Sequence, residues 1–292
     1  MPGFSIQALS GQLLIGLING SFYALLSLGL AIIFGLLNVV NFAHGALYMM
    51  GAFAAWMAAN YLGIGYWWAL VLAPAVVGVV GVVVERTMLR RLYGLDNLYG
   101  LLLTFGLTLI AEGLFHQAYG NSGYSYPVPE QLRGGVSLGF MFLPIYRGWV
   151  VVVSIFVCTL SWFVIEQTKL GAYLRAGTEN PKLLQAFGVN VPVMFTITYG
   201  FGAALAAFAG VMAAPVYQVT PLMGSNIVIV VFAVVVIGGM GSIAGAIVTG
   251  LGLGLVEGLT KFLYPQASAV VIFVVMAVVL LVRPAGLFGR VR

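Results

Sequence analysis

From Met1 to Val84 the chain contains no Asp, Glu, Lys or Arg, and its first formal charge is Glu85. A charge-free run of that length has nothing to solvate it in water, whereas a bilayer core about 30 Å thick takes roughly 20 apolar residues per helical crossing. The run holds about three crossings, so the chain is embedded in a membrane from its start. The remainder agrees: 62% of residues are hydrophobic, 7% are charged and 39 of 292 are glycine, which lipid-embedded helices tolerate better than soluble ones. A soluble fold is excluded, and no stretch is both long and polar enough to fold separately in water. The expectation is an all-α polytopic membrane protein, with residues 1–292 forming one transmembrane domain.

Apolar runs between breakers mark spans near 7–37, 42–60, 66–84, 98–119, 148–166, 193–213, 223–237, 243–262 and 267–282. The first is long enough to be tilted or broken near Asn19-Gly20, and 223–237 is short enough to be re-entrant, which sets the count at eight to ten. The longest polar-leaning connection is Gly120 to Arg147, read as a periplasmic loop. No basic region precedes the first apolar run, so the chain is expected to be unprocessed. The one cysteine, Cys158, lies inside an apolar run; it has no intrachain partner and reads as a small buried side chain.

The net charge of +5 does not indicate nucleic acid, because the basic residues sit at segment ends rather than on one face. They report topology. Arg86, Arg90 and Arg91 fall in one connection, Lys169, Arg175 and Lys182 in another, and Arg283, Arg290 and Arg292 in the tail. The opposite connections hold only Arg133, Arg147 and Lys261. The positive-inside rule places the richer side, and with it the C-terminus, in the cytoplasm. The side of the N-terminus depends on whether the first span is broken.

Helices pack closely in lipid where small residues recur every fourth position. Gly202, Ala206, Gly210 and Ala214 form one such ladder; Gly250, Gly254 and Gly258 form another, with Gly241 and Gly245 just before it. Both predict tight crossings, and either is available to a partner subunit. Polar groups within spans are costly and therefore informative. Asn38, Asn41, Gly45 and Tyr48 follow helical spacing, with His44 beside them. Two readings fit: a polar lining near a helix start for a polar solute, or an asparagine cap with His44 satisfying a backbone carbonyl. Glu112 and His116, four apart, read as an interfacial ion pair or a proton relay, the pair being favoured. Glu257 and Lys261 have the favourable order at i, i+4 and read as structural.

No Gly-x-x-x-x-Gly-Lys-Ser/Thr loop surrounds any lysine, so the chain binds no ATP by that device. No Cys/His metal cluster appears, the two histidines lack a His-Glu-x-x-His setting, and no serine has a convincing triad around it. An enzyme is not expected, nor a cofactor bound by this chain.

The segment Thr168 to Pro192 differs from every other. It reads as a short helix outside the bilayer: Pro181 suits a first turn after an Asn180 cap, Leu183, Leu184, Ala186 and Phe187 offer an apolar face, and Gly188 stops it. An apolar face in the cytoplasm calls for a partner or the lipid surface.

Residues 35–47, Gly-Leu-Leu-Asn-Val-Val-Asn-Phe-Ala-His-Gly-Ala-Leu, resemble the hallmark of LivH-type permeases of branched-chain amino acid ABC importers. Arg175-Ala176, Glu179-Asn180, Ala186 and Gly188-Val189 resemble that family's cytoplasmic loop. Val236 to Ala246 is similar to its late glycine-rich segment, and Arg283 to Gly289 to its C-terminal ending. The resemblance implies a permease subunit in a bacterial inner membrane, working with a second, LivM-type permease, two cytoplasmic ATPase subunits that hydrolyse the ATP, and a periplasmic binding protein. It implies that a coupling helix within about 171–191 docks in an ATPase cleft, with Arg175, Ala176, Glu179, Asn180, Leu183, Ala186, Phe187 and Gly188 as candidate contacts. On the polar-lining reading of their spacing, Asn38, Asn41, His44 and Tyr48 are the candidate path residues. Branched-chain amino acids are the leading substrate, and urea or short amides the alternative in the same class. The competing class is a stand-alone proton-coupled transporter using Glu112 and His116. Gly45-Ala46 and Gly245-Ala246, each followed by apolar residues, hint at a parallel internal repeat.

Overall fold

The computed structural model describes residues 6–37, 40–139 and 141–289. The first apolar run forms α1 (Ile6–Leu37), α2 (Ala43–Leu62) and α3 (Tyr66–Thr87); α4 (Asn97–Tyr119) and α5 (Ile145–Gln167) follow. Two short helices, α6 (Lys169–Glu179) and α7 (Pro181–Ala186), precede α8 (Val191–Ala213), α9 (Met223–Gly238), α10 (Ile243–Leu263) and α11 (Val271–Val282). Among the described residues six helices, α1, α3, α4, α5, α8 and α10, are long and apolar enough to cross a membrane. The apolar α9 and α11 are shorter, and α2, interrupted by His44 and Asn60, completes the set.

The first span is not broken at Asn19-Gly20. α1 runs through 32 residues and packs on α10 through the second glycine ladder. A Cβ on Gly16 would collide with the Gly254 carbonyl, and one on Gly254 with the Gly20 backbone. The other ladder is used the same way: Gly202 lies against Gly29 and Ile33 of α1, and Gly210 against the Tyr48 and Ala52 backbone of α2. Both ladders are thus occupied within the chain rather than left for a partner. α1 is the centre of the bundle, with 78% of its most apolar stretch buried against 22% for α4. The Gly-Ala pairs pack alike: Gly45 abuts Gly224 near the start of α9 and Gly245 abuts Gly238 at its end. The helices around them pack reciprocally, α1 on α10 and α9 on α2.

Contacts define two ends. At one, α1 ends against Gly241, α3 ends against the start of α8, and the tail returns through Leu287 N–H to the Ile237 carbonyl. The connections carrying Arg86, Arg90, Arg91, Lys169, Arg175, Lys182 and Arg283 lie at this basic end; Arg290 and Arg292 lie outside the described residues. The starts of α1, α3 and α5 lie at the other end. There the 120–144 connection is more than a plain loop, with Gly135–Ser137 (β1) pairing antiparallel with Phe142–Pro144 (β2) and Tyr124 bridging to Val219. Since α1 is unbroken, it begins at the end opposite Arg283.

Candidate functional site

α2 starts without a side-chain cap, Phe42 holding the cap position. The residue before it, Asn41, is fully buried, and neither amide atom completes a hydrogen bond, although the Tyr199 phenol of α8 is a polar neighbour. His44 is also fully buried; its Nε2 lies 2.9 Å from the Leu26 carbonyl of α1, while Nδ1 has no partner. A carbonyl only accepts, so Nε2 carries a hydrogen, and Nδ1 is the ring atom left without a partner. The carbonyl reading of His44 therefore holds and the cap reading of Asn41 does not. Tyr48 is buried one turn further along α2. Asn38 lies outside the described residues. Asn41, just before α2, and His44 and Tyr48 on it are thus all buried in the interior of the chain, where α2 meets α1 and α8.

The approach to α2 is fixed from α4. The Thr104 hydroxyl accepts from Phe42 N–H at 3.1 Å and donates to the Val40 carbonyl at 3.2 Å. Gly100, Thr104, Thr108 and Glu112 recur every fourth residue and form the buried stripe of an otherwise exposed helix. Glu112 does not pair with His116. Its carboxylate takes a short hydrogen bond from Ser225 at the start of α9, and His116 is exposed, so the geometry assembles neither an ion pair nor a relay between them. Glu257 and Lys261 do form their ion pair, and the Glu257 carboxylate also accepts from Tyr23 at 2.8 Å.

Sequence reasoning missed a second acid site at the basic end. Glu85 is fully buried near the end of α3; it accepts from Thr196 of α8 at 2.6 Å and from Tyr93 at 2.9 Å. Burial first, and then the Glu85 charge, push the Tyr93 phenol well above its ordinary value, with Arg90 opposing. Its one signal in the sequence is that Glu85 ends the charge-free run, directly before Arg86.

The 168–192 segment holds two helices where one was expected. Asn180 joins them: its backbone N–H closes α6 on the Ala176 carbonyl, and its side chain caps α7 by accepting from Leu183 N–H at 3.0 Å. Gly188, at φ +83°, ends the turn where other residues are strained. Leu174 and Leu184 are buried and Gly177 lies against Met194 of α8, so the unit is seated on the start of α8. Leu184 therefore leaves the exposed face to Leu183 and Phe187, which are 55% and 77% exposed. Ala176, Glu179 and Ala186 are exposed as well, and Arg175 pairs with Glu166 at 3.0 Å.

Among the described residues no three His, Cys, Asp or Glu side chains converge as metal ligands. The arrangement is one of buried polar elbows between helices and a short helical unit with an exposed apolar face at one end. Residues 12–280 match the family model described as the permease component of branched-chain amino acid transport systems. The chain belongs to that family. It is 31% identical to the branched-chain amino acid permease LivH of Escherichia coli K12, over 96% of this chain and 95% of the relative. It is also 31% identical to BraD of Pseudomonas aeruginosa over the same shares. The permease LivM of E. coli K12 is 25% identical over 92% of this chain and 68% of its own length. No solved structure matches. This family member is a multi-pass membrane protein whose relatives are transport permeases.

Proposed function

We propose that the chain is one permease subunit of a bacterial inner-membrane ABC importer and forms its share of the path for branched-chain amino acids delivered by a periplasmic binding protein. The observation that carries this reading is the likeness to LivH along nearly the whole of both chains. A second permease of the LivM type is the pairing partner, and two cytoplasmic ATPase subunits bind and hydrolyse the ATP, for which this chain has no phosphate loop of its own. The basic end is cytoplasmic by the positive-inside rule; the C-terminus lies there and α1 begins at the periplasmic side. The unit α6–α7 is the coupling element. Leu183 and Phe187 enter the ATPase cleft, flanked by Ala176, Glu179, Ala186 and Gly188, while Arg175 and Asn180 hold the unit's shape. Because α7 leads directly into α8, ATPase closure moves α8 against α2. That motion uncovers Asn41, His44 and Tyr48, with Asn38 beside them, as polar groups of the path.

Purification of the tagged chain from mild detergent, with mass spectrometry of what accompanies it, tests the reading. Recovery of two ATPases and a second permease is the expected result; a chain that comes alone, under conditions that preserve a known importer, overturns it.

A further inference from the structure

The pair Glu257–Lys261 is the centre of a larger polar group. Tyr23, midway along α1, donates to the Glu257 oxygen that Lys261 does not hold. Four residues before Tyr23 on the same face, Asn19 accepts from the Tyr217 hydroxyl at 3.2 Å, and Tyr217 packs edge-on against Phe22, ring centroids 5.6 Å apart. α1, α10 and the connection between α8 and α9 thus bring one carboxylate, one ammonium, two phenols and an amide together.

Their exposure is the informative part. The Lys261 side chain is 35% exposed and Tyr217 43%, and Asn19 and Tyr23 are half-buried. Asn19, Tyr23 and Glu257 lie within spanning helices, where polar and ionisable groups face a bundle interior or a water-filled cavity rather than hydrocarbon, while Lys261 in the last turn of α10 and Tyr217 in the α8–α9 connection open the group toward the end where α1 begins. The buried sites at Glu85 and Asn41 are closed by the chain's own helices; this one is open on the molecule's surface. We infer that this face of α1 and α10 is a subsite of the translocation path for a zwitterionic α-amino acid. The substrate carboxylate binds Lys261, the substrate ammonium binds Glu257, and the Asn19–Tyr217 pair supplies an acceptor and a donor beside them. No proton or covalent bond is transferred: one ion pair opens and two form, then the resident pair recloses as the solute leaves. The inference rests on the importer reading and assigns that reading its solute-contacting groups.

The experiment is ATP-driven uptake of L-leucine by the whole complex in proteoliposomes, measured with ATP hydrolysis in the same vesicles. Lys261→Gln and Glu257→Gln are expected to lower leucine moved per ATP about tenfold, as for a lost hydrogen bond to a charged group. The exchange Glu257→Lys with Lys261→Glu restores an ion pair but reverses the polarity seen from Asn19 and Tyr217, and is expected not to recover the ratio. A structural pair gives the opposite pattern: exchange restores the ratio, or Lys261→Gln leaves it unchanged, and either overturns the inference. Where a charge variant does not assemble, Tyr217→Phe decides: a lowered ratio supports the subsite, an unchanged one overturns it. If the wild-type complex itself moves no leucine with ATP, the importer reading fails; if it does and the variants match it, only the subsite fails.

Discussion

Thr196 donates its hydroxyl to Glu85 at 2.6 Å across 111 positions of sequence, joining the start of α8 to the end of α3 inside the bundle. Tyr93 completes the site from the connection that carries Arg90 and Arg91. One carboxylate thereby holds three elements at the end where α6–α7 meets α8. Glu85→Ala leaves both hydroxyls without their acceptor and is expected to cost about 2–3 kcal/mol, as for hydrogen bonds to a charged group. Thermal unfolding of the purified complex followed by fluorescence checks this; an unchanged midpoint contradicts it.

Asn41 separates stability from transport. Its buried amide completes no hydrogen bond of good geometry and has the Tyr199 phenol as a polar neighbour, so Asn41→Leu is expected to change stability by about 1 kcal/mol or less. Leucine transport is expected to fall all the same, since the amide is assigned to the path. Transport at the wild-type rate removes Asn41 from it.

The α6–α7 unit offers a contrast between neighbours. Phe187→Asp, at a position 77% exposed, is expected to change stability by about 0.5 kcal/mol or less, as surface substitutions do, while abolishing recovery of the ATPases. Leu184→Asp, in a site 7% exposed, is expected to unseat the unit from α8 and to lower stability by several kcal/mol. Equal ATPase recovery in Phe187→Asp and wild type contradicts the docking assignment.

At the α1–α10 crossing, Gly254 faces the Gly16 carbonyl and the Gly20 backbone. Gly254→Val drives a branched side chain into that contact and is expected to cost at least about 3 kcal/mol. Loss of a monodisperse complex in size-exclusion chromatography is the readout, and Gly252→Ala, in open space, is the silent control.

Glu112 accepts from Ser225 rather than pairing with His116. Glu112→Gln keeps an acceptor for the Ser225 hydroxyl and is expected to retain most leucine uptake. Abolished uptake with the complex intact contradicts this and favours the proton-coupled alternative.

Span positions were legible because lipid allows only apolar helices of a narrow range of lengths, so Gly, Pro and Asn clusters mark the ends within a few residues. The Asn180-Pro181 start of α7 and the Gly188 stop were legible for local reasons, capping and left-handed backbone. α6 was not, because Gly171 and Gly177 lower helix propensity and the contact of Gly177 with Met194 of α8 is not visible in the sequence. The glycine ladders announced close crossings, but repeat spacing names no partner, and α1 and α2 occupy them. The Glu112–His116 spacing suggested a pair that the approach of α9 replaces with Ser225. Glu85 had two partners, eight and 111 residues away, and no linear pattern connects them. Likewise Glu257–Lys261 was visible as an i, i+4 pair, whereas Tyr23, lying 234 residues away, and the Asn19–Tyr217 bond beside it required the fold.

The central claim is that partner ATPases, not an ion gradient, drive solute through this subunit. Its most direct measurement is uptake of labelled L-leucine into proteoliposomes holding the whole complex, with binding protein outside, ATP inside and a protonophore present. The account predicts uptake that requires ATP, ceases without the binding protein and is indifferent to the protonophore. Uptake that proceeds without ATP and collapses with the proton gradient contradicts it.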